Sequence, residues 1–509
     1  MSYLVGIDLG STSLKAVIYD LSGRALAKAS RPTQVFHPDP AHPDWAIWQP
    51  EQIWGGAAEA LREAISQLDD PKRIRAVAVT GMGMDGVPVD AAGHWLYPFI
   101  SWHCPRTVPQ HAWWLEHVGA EKQFAISGNP VWAINSALRL LWMREHEPAV
   151  LAKTDKWLLI EDFVNFMLCG ARATDYSMAS NTLLFDQRTR AYSDELLQLS
   201  GIDRRWLCDP QPSGTVLGEV HTAAAVATGL PKGTPVVLGG HDFLCGMLPV
   251  GAFQPGVVLD VMGTWDIVTV ALEKPVLTPA VQRMGWWMDS HVARGMYAAM
   301  GTAVAADMLE WFRREFGQPE KDQSRAEGRT DWDCLMAEAQ ASPPGAHGVM
   351  FLPHMSGSTV PSVDPKSRGA FIGLRNIATK GDMIRAIIEG LNYQFLEILA
   401  GLQAAVGVTP HKLVVGGGGR SNPFWVQNRA DLAGQAIEVP EIEEATPLGA
   451  AILAGLGVGL YRNEADAFQQ VYRPGRVYEP NLQNTAFYAE RLARFRKIYP
   501  ALQELHASL

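Results

Sequence analysis

An apolar strand, an aspartate, a glycine–hydroxyl turn and a returning strand occur twice in this 509-residue chain, about half a chain apart. The first copy runs from Leu4 through Asp8 to the turn Gly10-Ser11-Thr12-Ser13 and returns to Asp20. The second runs from Val257 through Asp260 to Gly263-Thr264 and returns as Ile267 to Ala271. The spacing from aspartate to turn differs by one residue between the copies. One hairpin used twice at this separation predicts a duplicated α/β domain facing itself across a cleft.

The chemistry of the two turns is similar. Each offers backbone N–H groups and hydroxyls, which suit phosphate oxygens. The Asp8 carboxylate beside the first turn suits a hydrated Mg2+ ion, which keeps most of its waters. Ser, Thr and Gly also favour ordinary tight hairpins, so the first turn alone is ambiguous.

Just before the second copy, Val236-Val237-Leu238 reads as a buried strand ending in Gly239-Gly240, then His241-Asp242 opens a helical segment. A strand end holds a side chain rigidly at an open edge, so Asp242 is the candidate general base. A base and a phosphate cradle in one stretch point to phosphoryl transfer.

Composition narrows the partners. Forty-three basic against 53 acidic residues give a net charge of −10, with no long basic run. Nucleic acid and anionic membrane surfaces are thereby disfavoured. The five cysteines lack any C-x-x-C pair, which argues for a reducing compartment and against a disulfide framework. The apolar segment Gly449 to Tyr461 is too short to span a bilayer. No leader is apparent, and the expectation is a cytoplasmic protein. A homodimer is compatible with all of this.

The length predicts two domains. The expected division is 1–243, 244–475, and a tail helix over 476–509. Between the hairpins, a helix begins near Glu51 and a strand covers Ile74 to Thr80. Next come Met84-Asp85 and the segment Trp102-His103-Cys104-Pro105-Arg106-Thr107. An aromatic face with an acid and an arginine suits a polyhydroxyl ligand, although a core Trp and a surface Arg are the commoner meaning of such a pair. In the second half, Thr379 to Asp382 starts a helix with Ile384, Ile387, Ile388, Leu391, Phe395 and Ile398 on one face. Leu413-Val414-Val415 then leads into Gly416-Gly417-Gly418-Gly419, and Asn422-Pro423 opens a helix to Ala433. Four glycines there let the backbone approach a flat ligand.

These residues resemble the FGGY family of carbohydrate kinases. The likeness is carried by Gly369-x-Phe371-x-Gly373-Leu374 with Asp382 to Glu389, by Gly416 to Gly419 with Gln427 and Asp431, and by Glu444 to Ala451. A looser match covers Ser136 to His146, where Arg139 replaces a usual Lys. The resemblance implies two ribonuclease-H-like domains, of the actin and hexokinase type, flanking a central cleft. It implies ATP with Mg2+ at Asp8 and phosphates held by Gly10, Ser11, Thr12, Ser13, Gly263 and Thr264. Adenosine would lie against Gly416 to Gly419 and Asn422, and the sugar against Met84, Asp85, Trp102, His103, Arg106 and His241. Gly357-Ser358-Thr359 and the Asp307 region depart from the pattern. The Trp102 to Thr107 segment is similar to that of L-fuculokinases and glycerol kinases, Gly240-His241-Asp242 is similar to L-fuculokinases, and xylulokinases usually carry an acid where Cys104 stands. Met84-Asp85 lacks the Arg-Glu pair of glycerol kinases. A ketose is the expected acceptor, L-fuculose before D-xylulose. The fold also admits an ATP-driven binding protein or a weakly catalytic sugar sensor.

Overall fold

The computed structural model describes residues 2–509. The first hairpin forms as its sequence dictates, β1 (Tyr3–Leu9) pairing antiparallel with β2 (Ser13–Asp20) and β2 with β3 (Ala25–Pro32). Helix α1 (Pro50–Ser66) follows, with Pro50 in its first turn where no N–H is needed. Strand β4 (Ile74–Gly81) lies parallel to β1. After a largely helical insertion, β5 (Val216–Glu219) and β6 (Pro235–His241) complete a sheet of order β5-β6-β4-β1-β2-β3, and α2 (Asp242–Met247) leaves its edge.

The second half repeats the plan. Strand β7 (Val257–Met262) pairs antiparallel with β8 (Trp265–Leu272), and the sheet extends outward through β10 (Tyr297–Val304) to β9 (Trp287–Ser290). Helices α3 (Ala306–Phe316), α4 (Asp331–Ala341) and α5 (Lys380–Val406) cover it. Strand β11 (Lys412–Gly416) runs parallel to β7, α6 (Pro423–Ala433) follows, and β12 (Ile437–Val439) runs parallel to β11. Helix α7 (Ala445–Gly457) and edge strand β13 (Arg476–Tyr478) come next. In both sheets a central strand has its hairpin partner on one side and parallel strands on the other.

Helix α5 shows how the family-like segment earns its place. Thr379 Oγ1 accepts from the Asp382 N–H, and Asp382 Oδ2 accepts from the Thr379 N–H at 2.8 Å, a reciprocal cap. Two turns further on, Glu389 Oε1 accepts from Arg385 Nε, Tyr488 Oη and the Gly345 N–H.

Helix α7 does not stay with the second sheet. It packs with α2 between the two sheets, joining Leu4, Val17, Ala76 and Val237 of the first to Val257, Leu259 and Val414 of the second. The approach is close: a Cβ on Gly449 would stand 1.9 Å from the Cys245 oxygen, and one on Gly6 1.8 Å from the Pro447 oxygen. Only glycine permits that layer.

The stretch beyond residue 475 is not a separate tail helix. Residues 476–478 form the sheet edge, and two helices follow, Leu482–Phe495 and Ile498–Ser508. Tyr488, Phe495 and Ile498 are buried against Met350, Leu352 and Tyr393, so burial of these apolar residues ties the segment to the domain.

Candidate active site

Strand alternation decides where Asp8 points. Tyr3, Val5, Ile7 and Leu9 face α1, so Leu4, Gly6 and Asp8 face the α2–α7 layer. Asp8 therefore looks into the space between the halves. In the second hairpin the one-residue difference in spacing reverses this. Asp260 shares a face with Val258 and Met262, where the buried Arg429 binds it and also reaches Asp266 at 2.8 Å. The two copies have the same fold and opposite chemistry: Asp260 is internal and paired, and Asp8 faces a cavity.

Asp242 is the first residue of α2, placed where β6 ends with His241 opposite Gly81. The junction is braced from below. The His241 N–H donates to Ser177 Oγ at 2.9 Å, and the Ser177 and Ser213 hydroxyls both donate to Asp175 Oδ2 at 2.7 Å. His241 Nδ1 lies 2.8 Å from Asp242 Oδ1, a charge contact whose angle falls outside hydrogen-bond geometry. Burial pulls the His241 imidazole down, yet the Asp242, Asp289 and Asp175 carboxylates outweigh it and raise it above the ordinary histidine value.

A cavity of about 430 Å3 brings together Asp8, Gly10, Ser11, Thr12, Ser13, Met84, Trp102, His241 and Asp242. Burial and the nearby Asp242 charge push Asp8 up to about 7, against the pull of Lys15. Two carboxylates in one cavity suit a cation between them. Among the described residues no three His, Cys, Asp or Glu side chains form a protein-only metal cage. A hydrated Mg2+ shared with phosphates needs only one or two carboxylates.

A second cavity, about 450 Å3, also holds Asp8 and Asp242 and continues to Gly416, Gly417 and Gly418. A third, about 530 Å3, is lined by Gly418, Gly419 and Asn422 with Trp332 and Met336 of α4. Gly417 has φ of 75°, and a Cβ there would stand 2.5 Å from the Met262 oxygen. The Asn422 side chain caps α6 through the Trp425 N–H at 3.2 Å. Gly263 and Thr264 form the β7–β8 turn, and their carbonyls accept from the Ala306 and Ala305 N–H groups. Ala306 lines the third cavity.

Three residues expected against the sugar stand elsewhere. Asp85 is fully buried behind the cavity, beside Arg139 and accepting from Trp48 Nε1 and the Trp102 N–H. Arg106 is sandwiched between the rings of Trp45 and Trp142, at 4.4 and 4.9 Å. Its donors go to Cys104 Sγ and Tyr97 Oη. His103 stacks on Trp102 with centroids 3.8 Å apart and is not among the cavity-lining residues. In each case an aromatic or ionic partner within the insertion claims the polar group. Conversely, Lys15, Thr446 and Ile134 line the first cavity without having been assigned to a site from the sequence. Lys15 was reachable by alternation, two residues past Ser13 on one face of β2; Trp332 and Met336, four apart on a helix, carried only a generic core signal.

Residues 3–249 match the N-terminal domain of the FGGY family of carbohydrate kinases and residues 259–458 its C-terminal domain. The chain is 30% identical over 479 residues to an L-fuculokinase of Escherichia coli (strain K12), covering 94% of this chain and 97% of that protein. It is 31% identical over 512 residues to an autoinducer-2 kinase of Yersinia enterocolitica, covering 98% and 94%. The structure superposes on that of a xylulose kinase from Rhodospirillum rubrum with a TM-score of 0.88 at 28% identity, covering 99% and 100%. Twin hairpins, glycine-lined cavities and these likenesses agree: the chain belongs to the FGGY family of carbohydrate kinases and is a sugar phosphotransferase that uses ATP.

Proposed function

We propose that this kinase phosphorylates a hydroxyl of a ketose, L-fuculose or a similar deoxyketose ahead of D-xylulose, with Asp242 as general base. The observation that carries the reading is the position of Asp242, at a braced strand–helix junction in the cavity it shares with Asp8 and the Gly10–Ser13 turn. The L-fuculokinase likeness supports the choice of sugar.

In this reading adenosine lies against Gly418, Gly419 and Asn422, beside Trp332 and Met336. The phosphates extend past Gly416 and Gly417 toward Gly263, Thr264 and the first hairpin. Asp8 would hold Mg2+, which would supply neutralisation of charge on the phosphates. The transferred group is loosely bonded at the transition state, so alignment and charge neutralisation do most of the work. As the acceptor oxygen bonds to phosphorus and the bond to the leaving ADP oxygen breaks, Asp242 takes the acceptor's proton. Met84, Trp102 and His241 position the sugar. Closure of the halves around the α2–α7 layer excludes water, a competing acceptor.

The test is kcat/KM with ATP on L-fuculose, D-xylulose, L-ribulose and glycerol. A tenfold preference for D-xylulose would reverse the ranking within the ketoses. Absence of ADP release above background on all four would overturn the ketose-kinase reading.

A further inference from the structure

The cavities form a series. The adenosine-side cavity shares Gly418 and Ser421 with the next, which shares Asp8 and Asp242 with the hairpin cavity. That one in turn shares Met84, Ile134, His241 and Phe243 with a fourth chamber of about 470 Å3. Asp242 thus stands between the glycine-lined side and this chamber, which lies at the end remote from the nucleotide side.

The chamber is apolar and belongs to both halves. Trp132 and Ile134 come from the first half, and Trp265, Ile267, Trp287 and Met300 from the second. The Trp132 and Trp287 rings meet edge to face at 5.3 Å, joining the halves. Trp265 is 41% exposed, a large ring turned to open space with no core role. Apart from His241, on the side shared with the hairpin cavity, the polar side chains at the wall are already engaged. Thr302 Oγ1 donates to the Asp266 carbonyl at 2.9 Å, and Asn181 Nδ2 donates to the Ser177 carbonyl at 3.1 Å. Asp289 is 1% exposed and accepts from Asn129 Nδ2 at 2.9 Å. A hydroxyl entering this space beyond His241 would leave water without gaining equivalent partners.

We infer that this chamber seats the end of the acceptor remote from the transferred phosphoryl group, and that this end is apolar, a methyl or short alkyl group in place of a hydroxymethyl. The inference rests on the ketose-kinase reading and deepens it. An apolar pocket discriminates by one group at roughly 10–200-fold, so the preference is measurable.

Two matched pairs isolate the difference: L-fuculose against L-tagatose, and L-rhamnulose against L-fructose, each pair differing only in methyl versus hydroxymethyl at the far carbon. With the full chain and ATP, the methyl member of at least one pair is expected to have a kcat/KM about tenfold or more higher. Ile134→Asn, which puts an amide on the wall, is expected to bring that ratio below about threefold with the KM for ATP unchanged. Trp265→Ser, at an exposed position, is the second variant should Ile134→Asn fail to fold, and it should lower kcat/KM for the methyl member selectively. Equal use of the two members in every pair that is turned over, or preference for the hydroxymethyl member, overturns the inference and leaves the ketose kinase intact. So does turnover of D-xylulose with neither pair used. Absence of ADP release with every ketose overturns the underlying reading instead.

Discussion

Arg139 holds its guanidinium 2.8 Å from the Asp85 carboxylate, and neither side chain is more than 1% exposed. Asp85 also accepts from the indole N–H of Trp48 and the backbone N–H of Trp102, so one buried ion pair fixes a wall of the sugar-side cavity. Removing one partner of such a pair strands the other charge, at about 3–5 kcal/mol. Asp85→Ala is therefore expected to lower unfolding stability by that amount, measured by denaturant titration. The double variant Asp85→Leu with Arg139→Met should recover part of it. A fully stable Asp85→Ala protein would show that the pair does not carry this wall.

Asp242→Asn keeps the size of the side chain and removes its capacity to take a proton. General-base catalysis contributes ~10²–10⁴-fold, so kcat should fall by ~10²-fold or more. Nucleotide affinity, read by calorimetry, should stay within about twofold. Near-normal turnover would remove Asp242 from the role of base.

Gly417 has a positive φ, and its missing Cβ would press on the Met262 oxygen. Gly417→Ala must therefore shift either the glycine run or the β7–β8 turn. The expected result is a KM for ATP raised by about tenfold, with sugar affinity little changed. Equal damage to both substrates would mean that the change spreads beyond the nucleotide side.

Two buried histidines set an acid limit on stability. Burial pulls His291 down to about 3 and His354 down to about 4, from an ordinary value of 6.5. Below pH 6.5 these two sites take up protons in the unfolded chain that the folded chain refuses, so their contribution to stability falls as pH falls and levels off below the folded values. For His291 alone the loss reaches ~2 kcal/mol by pH 5. The raised Asp8 and Asp289 carboxyls work in the opposite sense, so the His291 contribution is read as a difference: as pH falls from 7.5 to 4.5, the Tm of His291→Gln should rise relative to that of the parent protein. An unchanged slope in the variant would contradict the assignment.

Much of this architecture is legible in single stretches. Gly10 to Ser13 between two apolar runs can only be a turn, and Thr379 with Asp382 announces a helix start that the structure forms as a reciprocal cap. The strand–helix junction at Asp242 is equally local. The insertion was harder. Arg106 and Asp85 have the composition of a sugar site, but their partners Trp45, Trp142 and Arg139 come from distant stretches, and polarity alone does not tell which side of a loop a charge faces. The destiny of Asp260 was written in a one-residue difference of spacing, yet only the sheet shows which face it turned toward. The helix over 445–457 is readable as a helix, and nothing in its own residues names the sheet it covers.

That helix has a consequence for how the protein is made. The face of the first sheet bearing Leu4, Val17, Ala76 and Val237 is covered by residues synthesised from some two hundred to more than four hundred positions later, Leu448 to Leu453. A ribosome that has delivered only the first half has released a sheet with one apolar face bare. Long-range closure of this kind is slow, and the waiting surface is open to aggregation. The two halves, although each resembles a domain, must mature as one unit, and a chain cut short before Ala445 would be a client for chaperones rather than a smaller kinase.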